Sequence, residues 1–115
     1  MKKLKSGVIY HGGSIDTPSH LQKGIIRLDN GAFSFQAEGK SPLFNIDIRI
    51  PEKDIISAKA EERKYYSSVG YFLILEYLDN HRKKQKIDLE IRSFIRRGRA
   101  QAISRLWAEI LTHKI

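Results

Sequence analysis

Two runs of cations are the residues in this sequence best placed to do chemistry. Arg82-Lys83-Lys84-Gln85-Lys86 carries four cations in five residues. Arg92-Ser93-Phe94-Ile95-Arg96-Arg97-Gly98-Arg99 carries four in eight, with no acid among them. Guanidinium groups grip phosphate oxygens in pairs and ammonium groups act as point charges, so either run could seat an anion. A solvated hairpin tip and a linker into a helix would carry the same residues. The second run has one further feature. Arginines at a helix start oppose the helix dipole, which is unfavourable unless an anion or a carboxylate neutralises them.

Other chemistries find less support. Nucleic-acid binding wants aromatic rings among the cations for base stacking. Tyr65 and Tyr66 beside Arg63 and Lys64 offer that, and Phe94 sits among arginines, but no RNP, KH or helix-turn-helix pattern is present. The histidines His11, His20, His81 and His113 are scattered, without metal-ligand spacing. His11 and His20 flank a segment containing Asp16, which reads as a polar loop. No Gly-rich phosphate loop, serine elbow or paired catalytic carboxylates occur. There is no cysteine, which removes disulfides, thiolate metal sites and cysteine nucleophiles. The expectation is a protein that binds or assembles, with no catalytic residues, metal or cofactor.

Composition sets the frame for these sites. The 115 residues are 41% hydrophobic and 30% charged, in keeping with one ordinary globular domain. The net charge of +8 points to an anionic partner or to solubility. The basic start, Met1-Lys2-Lys3-Leu4-Lys5, resembles the n-region of a signal, but Tyr10-His11-Gly12-Gly13 interrupts any apolar run behind it. No stretch approaches the roughly 18 apolar residues of a membrane span. A cytosolic protein, peripheral at a membrane if it binds one, is expected.

Period-2 alternation governs the first ninety or so residues. Residues 6–11 form a short β-like run. Residues 24–28 and 32–36 flank Asp29-Asn30-Gly31, and Asn-Gly between such runs predicts a hairpin. Residues 44–50 alternate strictly, with Phe44, Ile46, Ile48 and Ile50 on one face. Pro51 ends that strand and residues 55–61 resume it, with Ala58 and Ala60 on one side. Residues 62–68 read as a polar loop. Residues 70–78, the most apolar run, belong at the centre of a sheet. Residues 79–81 turn, and residues 84–91 alternate with Ile87, Leu89 and Ile91 inward. The period then changes. Ala100, Ile103, Leu106, Trp107, Ile110 and Leu111 fall three and four apart as the apolar stripe of a helix, with Gln101, Ser104, Arg105 and Glu109 off it. That stripe needs a sheet to cover. The predicted fold is mainly β: about seven antiparallel strands, then one C-terminal helix, in a single domain spanning 1–115 with its core in about 6–112.

This order resembles the pleckstrin-homology superfold with its GRAM-like and bacterial branches. Gly7-Val8-Ile9-Tyr10-His11-Gly12-Gly13 looks like the family's first strand. Lys23-Gly24-Ile25-Ile26-Arg27-Leu28-Asp29-Asn30-Gly31-Ala32-Phe33-Ser34-Phe35 looks like its second hairpin. Ile48-Arg49-Ile50-Pro51-Glu52-Lys53-Asp54-Ile55-Ile56-Ser57-Ala58 is similar to a junction common in GRAM-like and bacterial members, and Trp107 matches the tryptophan on the closing helix of many members. The resemblance implies a partly open barrel or sandwich of two roughly orthogonal sheets plugged by the helix. It also implies a role as a lipid binder, a peptide binder or an assembly module. Lipid binders of the family place cations in the first, third and sixth loops. Here residues 12–22 offer none, the third loop offers Lys40, and the sixth offers Arg82, Lys83, Lys84 and Lys86. The lysine and spaced arginine of strong phosphoinositide binders are missing.

The expected role is therefore a non-catalytic binding or scaffolding module that recognises an anionic surface or ligand through Arg82, Lys83, Lys84 and Lys86, with Lys40 joining them. Arg92, Arg96, Arg97 and Arg99 form a second candidate cluster. One alternative is a homo-oligomeric assembly or protein-interaction module, with Tyr65, Tyr66 and the Val8-Ile9-Tyr10 strand pairing across sheet edges. Another is a weak nucleic-acid binder.

Overall fold

The computed structural model describes residues 4–13, 22–39, 45–65, 68–92 and 97–112. Its strands are β1 (Leu4–Gly13), β2 (Gln22–Asp29), β3 (Ala32–Ala37), β4 (Ile46–Pro51), β5 (Ile55–Tyr65), β6 (Ser68–Leu78) and β7 (Lys84–Ile91). The helix α1 (Arg97–Thr112) follows, and one 3₁₀ turn, Glu52–Asp54, joins β4 to β5. The chain is mainly β, as the alternation predicts. The strands form one open antiparallel sheet in the order β4-β3-β2-β1-β7-β6-β5.

The predicted hairpin is present between β2 and β3. Asn30 (φ 53°) and Gly31 (φ 74°) both take the left-handed backbone that a two-residue turn requires. The alternating positions behave as read, with Ile46, Ile50, Ile87, Leu89 and Ile91 buried and Ile48 partly buried, and Ile26, Leu28, Phe33 and Phe35 join them in the core. Trp107 of α1 is fully buried beneath them. Its ring meets Phe33 edge-on at 5.7 Å, and its Nε1 donates to Ser6 Oγ at 2.9 Å. The indole thus finds its polar partner on β1 while its body fills the core.

Several expectations are corrected. The first strand is longer than residues 6–11, and it lies inside the sheet between β2 and β7. Val8, Ile9 and Tyr10 therefore cannot pair with another molecule across an edge; among the described residues the sheet's edge strands are β4 and β5. Residues 62–65, read as loop, continue β5, because Glu62, Arg63, Lys64 and Tyr65 pair with Tyr71, Gly70, Val69 and Ser68. Polar side chains cost an edge strand little when one face is wet. Ala58 is buried but Ala60 is exposed.

At Ile55 and Ile56 the alternation breaks. The pairing with β6 shifts there, and Ile56 bulges outward to 49% exposure while Ile55 is buried. On α1 the covered stripe is narrower than the spacing predicts. Ala100, Ser104, Trp107 and Leu111 are buried and Ile103 and Ile110 partly so, whereas Leu106 is 43% exposed. Ser104 can be buried because its hydroxyl donates to the Gln101 carbonyl at 2.8 Å. Phe44 lies outside the described residues.

Candidate functional site

The first cationic run sits on the turn between β6 and β7, and Asp79 builds that turn. Its Oδ1 accepts from the backbone N–H groups of His81 (2.8 Å) and Lys83 (2.9 Å), and its Oδ2 accepts from Gln85 Nε2 (2.8 Å). Backbone bonds from Asp79 N–H to the Lys83 carbonyl and from Arg82 N–H to the Asp79 carbonyl close the loop. An aspartate at a turn start does this by reaching its own chain a few residues on. The result holds Arg82 at φ 61°, a left-handed conformation uncommon for a residue with a side chain.

Arg82, Lys83, Lys84 and Lys86 are all exposed. Three of them meet carboxylates. Arg82 Nη1 lies 2.9 Å from Asp54 Oδ1, Lys84 Nζ 3.1 Å from Glu76 Oε2, and Lys86 Nζ 3.8 Å from Asp88 Oδ1. Lys83 makes no ion pair with a described residue. The cations remain 51–66% exposed while Asp54 and Asp88 are about 16–17% exposed, so the positive ends face water and the acids lie beneath. Ion pairs with so exposed a partner contribute little to stability, and the cation is readily shared with a second anion.

Lys84 and Ser57 hydrogen-bond Glu76 and hold its carboxyl below the usual carboxylate range. The Lys83 backbone N–H, then Gln85 and His81, do the same for Asp79. Both acids therefore keep their charge to lower pH in the fold than in the unfolded chain. Their stabilisation is complete above the ordinary carboxylate pKa and is lost as pH falls through the folded one. Acid melts should show it. Between about pH 5 and pH 3 the wild type should lose more thermal stability than a Glu76→Gln/Asp79→Asn variant. Parallel pH profiles for the two proteins would contradict this account of the turn.

The second run is taken apart by the fold. Arg92 follows β7, where its N–H bonds the Gly7 carbonyl at 3.0 Å. It lines a shallow groove of about 560 Å³ with Lys23, Arg27, Gln36, Glu38 and Asp47. Arg99 is exposed in the first turn of α1. The backbone of Arg97 begins the helix, which carries no acid in its first turn. Arg96 and the Arg97 side chain lie outside the described part of the chain, as do Lys40, Tyr66 and the side chain of Tyr65.

Sequence reasoning missed a second layer on the outer face of the sheet. Phe72 points away from Leu73 and Leu75, yet it is fully buried. The Arg63 guanidinium covers its ring at 4.4 Å, and the His11 ring meets it edge-on at 4.7 Å. Arg63 also pairs with Glu61 and, at 2.9 Å, with Asp88, and His11 Nε2 lies 2.7 Å from Glu90 Oε1. Burial works against the Arg63 charge, but hydrogen bonds to Glu61 and Asp88 more than offset it and raise its pKa above the ordinary value. Arg63 is thus a cover for Phe72 rather than a free cation beside Tyr65. No spacing could reveal this, since its members are brought together from β1, β5, β6 and β7. The only trace in the sequence is a large aromatic on the wet side of β6.

Among the described residues, no group of three or more His, Asp or Glu side chains forms a metal centre, and no helix is long and apolar enough to cross a membrane. Fold and site together define a mainly β protein with one closing helix and a clamped, cation-bearing turn. No protein-family model matches the chain, and no curated protein matches its sequence.

Proposed function

We propose that this is a non-catalytic, pleckstrin-homology-like binding module that docks onto an anionic surface through the turn between β6 and β7. The observation that carries this reading is the turn clamped by Asp79. It fixes an arginine in a left-handed backbone and presents four exposed cations in five residues. One left-handed residue is the ordinary closure of a short hairpin loop, and here it gives the cations a fixed frame from which to project. The succession of seven strands and one helix with a buried tryptophan supports the pleckstrin-homology resemblance, although the strands form one open sheet rather than the two sheets the resemblance implies.

Sedimentation with phosphatidylcholine vesicles, with and without phosphatidylserine, tests the reading. The protein should pellet with the anionic vesicles alone, and less so as salt is raised, because exposed charges are screened within about 8–10 Å. Lys83→Glu/Lys84→Glu should abolish pelleting. Equal pelleting of that variant would overturn the assignment to this turn. A short nucleic acid in the same assay tests the weaker reading, which the engagement of Arg63 with Phe72 and two carboxylates disfavours. The assembly reading is favoured by one observation, the edge of β4 that no described strand pairs with.

A further inference from the structure

The free edge of β4 has a chemical symmetry. Ile46-Asp47-Ile48-Arg49-Ile50 reads the same in either direction, except that an acid on one side of Ile48 is matched by a base on the other. Asp47 and Arg49 lie exposed on the outer face, while Ile46 and Ile50 face the core and Ile48 is partly buried.

The backbone is in the matching phase. Pro51, which has no N–H, stands opposite Ala32, and the next residue, Glu52, donates its N–H to the Gly31 carbonyl at 2.9 Å. Antiparallel pairs alternate between bonded and non-bonded. Ile50, Ile48 and Ile46 therefore bond inward to β3, and Asp47 and Arg49 turn their N–H and C=O groups outward. Residues 47–51 line a cleft of about 230 Å³ together with Asp54 and residues 77–80, and no strand of the described chain occupies that edge. The other edge, β5, is interrupted by the bulge at Ile56 and has α1 against it, with Thr112 Oγ1 donating to the Ala58 carbonyl at 3.3 Å. Bulges and covering elements are among the ways proteins close an edge to pairing, and among the described residues β4 has neither.

We infer that β4 pairs antiparallel with β4 of a second copy about a two-fold axis at Ile48, joining two sheets into one. In that register each Asp47 stands opposite the second copy's Arg49, in a bonded pair whose outward backbone groups are satisfied. Ile48 faces its own copy at the close, non-bonded position, and Ile46 faces Ile50 on the core side. Opposite charges directly across a ladder stabilise it and like charges oppose it. An isologous contact of this kind closes at two subunits. The charges thus admit a second copy while repelling strands of other charge pattern.

Sedimentation velocity over a wide concentration range tests the proposal, independently of vesicle binding. The wild type should pass from monomer to dimer. Asp47→Arg alone and Arg49→Asp alone should each stay monomeric at concentrations where the wild type is dimeric, since each puts like charges opposite. An equal mixture of the two single variants, and the doubly exchanged Asp47→Arg/Arg49→Asp chain, should both regain the dimer. Both positions are exposed, so circular dichroism should show every variant folded. A wild type that stays monomeric throughout, single variants that dimerise like the wild type, or exchanged charges that fail to restore the dimer would each overturn it.

Discussion

Replacement of Trp107 by alanine is expected to destabilise the protein by about 3–5 kcal/mol, the range for deleting a fully buried large aromatic. The residue joins three parts of the fold. Its ring packs edge-on against Phe33 of β3, its Nε1 bonds Ser6 of β1, and its backbone belongs to α1. Removing it leaves a cavity between helix and sheet and an orphaned Ser6 hydroxyl. Among the described α1 side chains, only Leu111 and Ser104 are about as completely buried as Trp107, so little else can refill that space. Trp107→Phe should cost less, because most of the ring contact survives and the loss is a smaller cavity and the indole bond. Urea unfolding followed by circular dichroism measures both. A loss below about 1 kcal/mol for the alanine variant would mean that the helix does not close the core.

Gly24→Ala is expected to destabilise by about 1–3 kcal/mol or more, although it adds one methyl group. Gly24 lies on β2 opposite Ala37. A Cβ there would fall 2.5 Å from the Gln36 carbonyl oxygen, 2.6 Å from Phe35 Cε1 and 2.9 Å from the Ala37 Cβ. The Gln36 carbonyl and the Ala37 Cβ are fixed to the backbone and cannot swing aside. The strands must separate or the Phe35 ring must leave its place beside Tyr10, 5.8 Å away between centroids. An alanine variant as stable as the wild type in the same urea titration would show that β2 and β3 are not held this closely. Gly31→Ala would serve as a contrast. It has open space around it, so its cost would come from the backbone conformation alone.

How much of this could be read from residue order depends on the range of the interactions. The hairpin at Asn30 and Gly31 was legible because its conformation is decided by two adjacent residues. Strands β4 and β7 were legible because one face is wet, so their periods are clean. The clamp on the cationic turn was half legible: an aspartate heads the turn, but its bond to Gln85 depends on where β7 begins. The carboxylates of Asp54 and Glu76 were not legible, since they reach Arg82 and Lys84 from the 3₁₀ turn and β6, whereas Asp88 stands two residues from Lys86 on β7 itself. The cover over Phe72 was not legible either, and it turned Arg63 from a candidate binding residue into a packing one. The interior position of β1 follows from a non-local pairing with β7, which alternation cannot encode. At Ile55 and Ile56 the sequence shows two adjacent β-branched residues, and only the register with β6 decides which one bulges.

Asp79 links the fold to the proposed function, and its test is positional. In ¹H–¹⁵N correlation spectra of the full chain, titration with phosphatidylcholine bicelles doped with phosphatidylserine should shift the amides of His81, Arg82, Lys83, Lys84 and Lys86. Undoped bicelles should shift none of them. An Asp79→Ala variant, with the same cations on a loosened turn, should bind more weakly. Shifts confined to the β4 edge or to Tyr65, or no shifts at all at low salt, would contradict the claim that the turn between β6 and β7 is the binding surface.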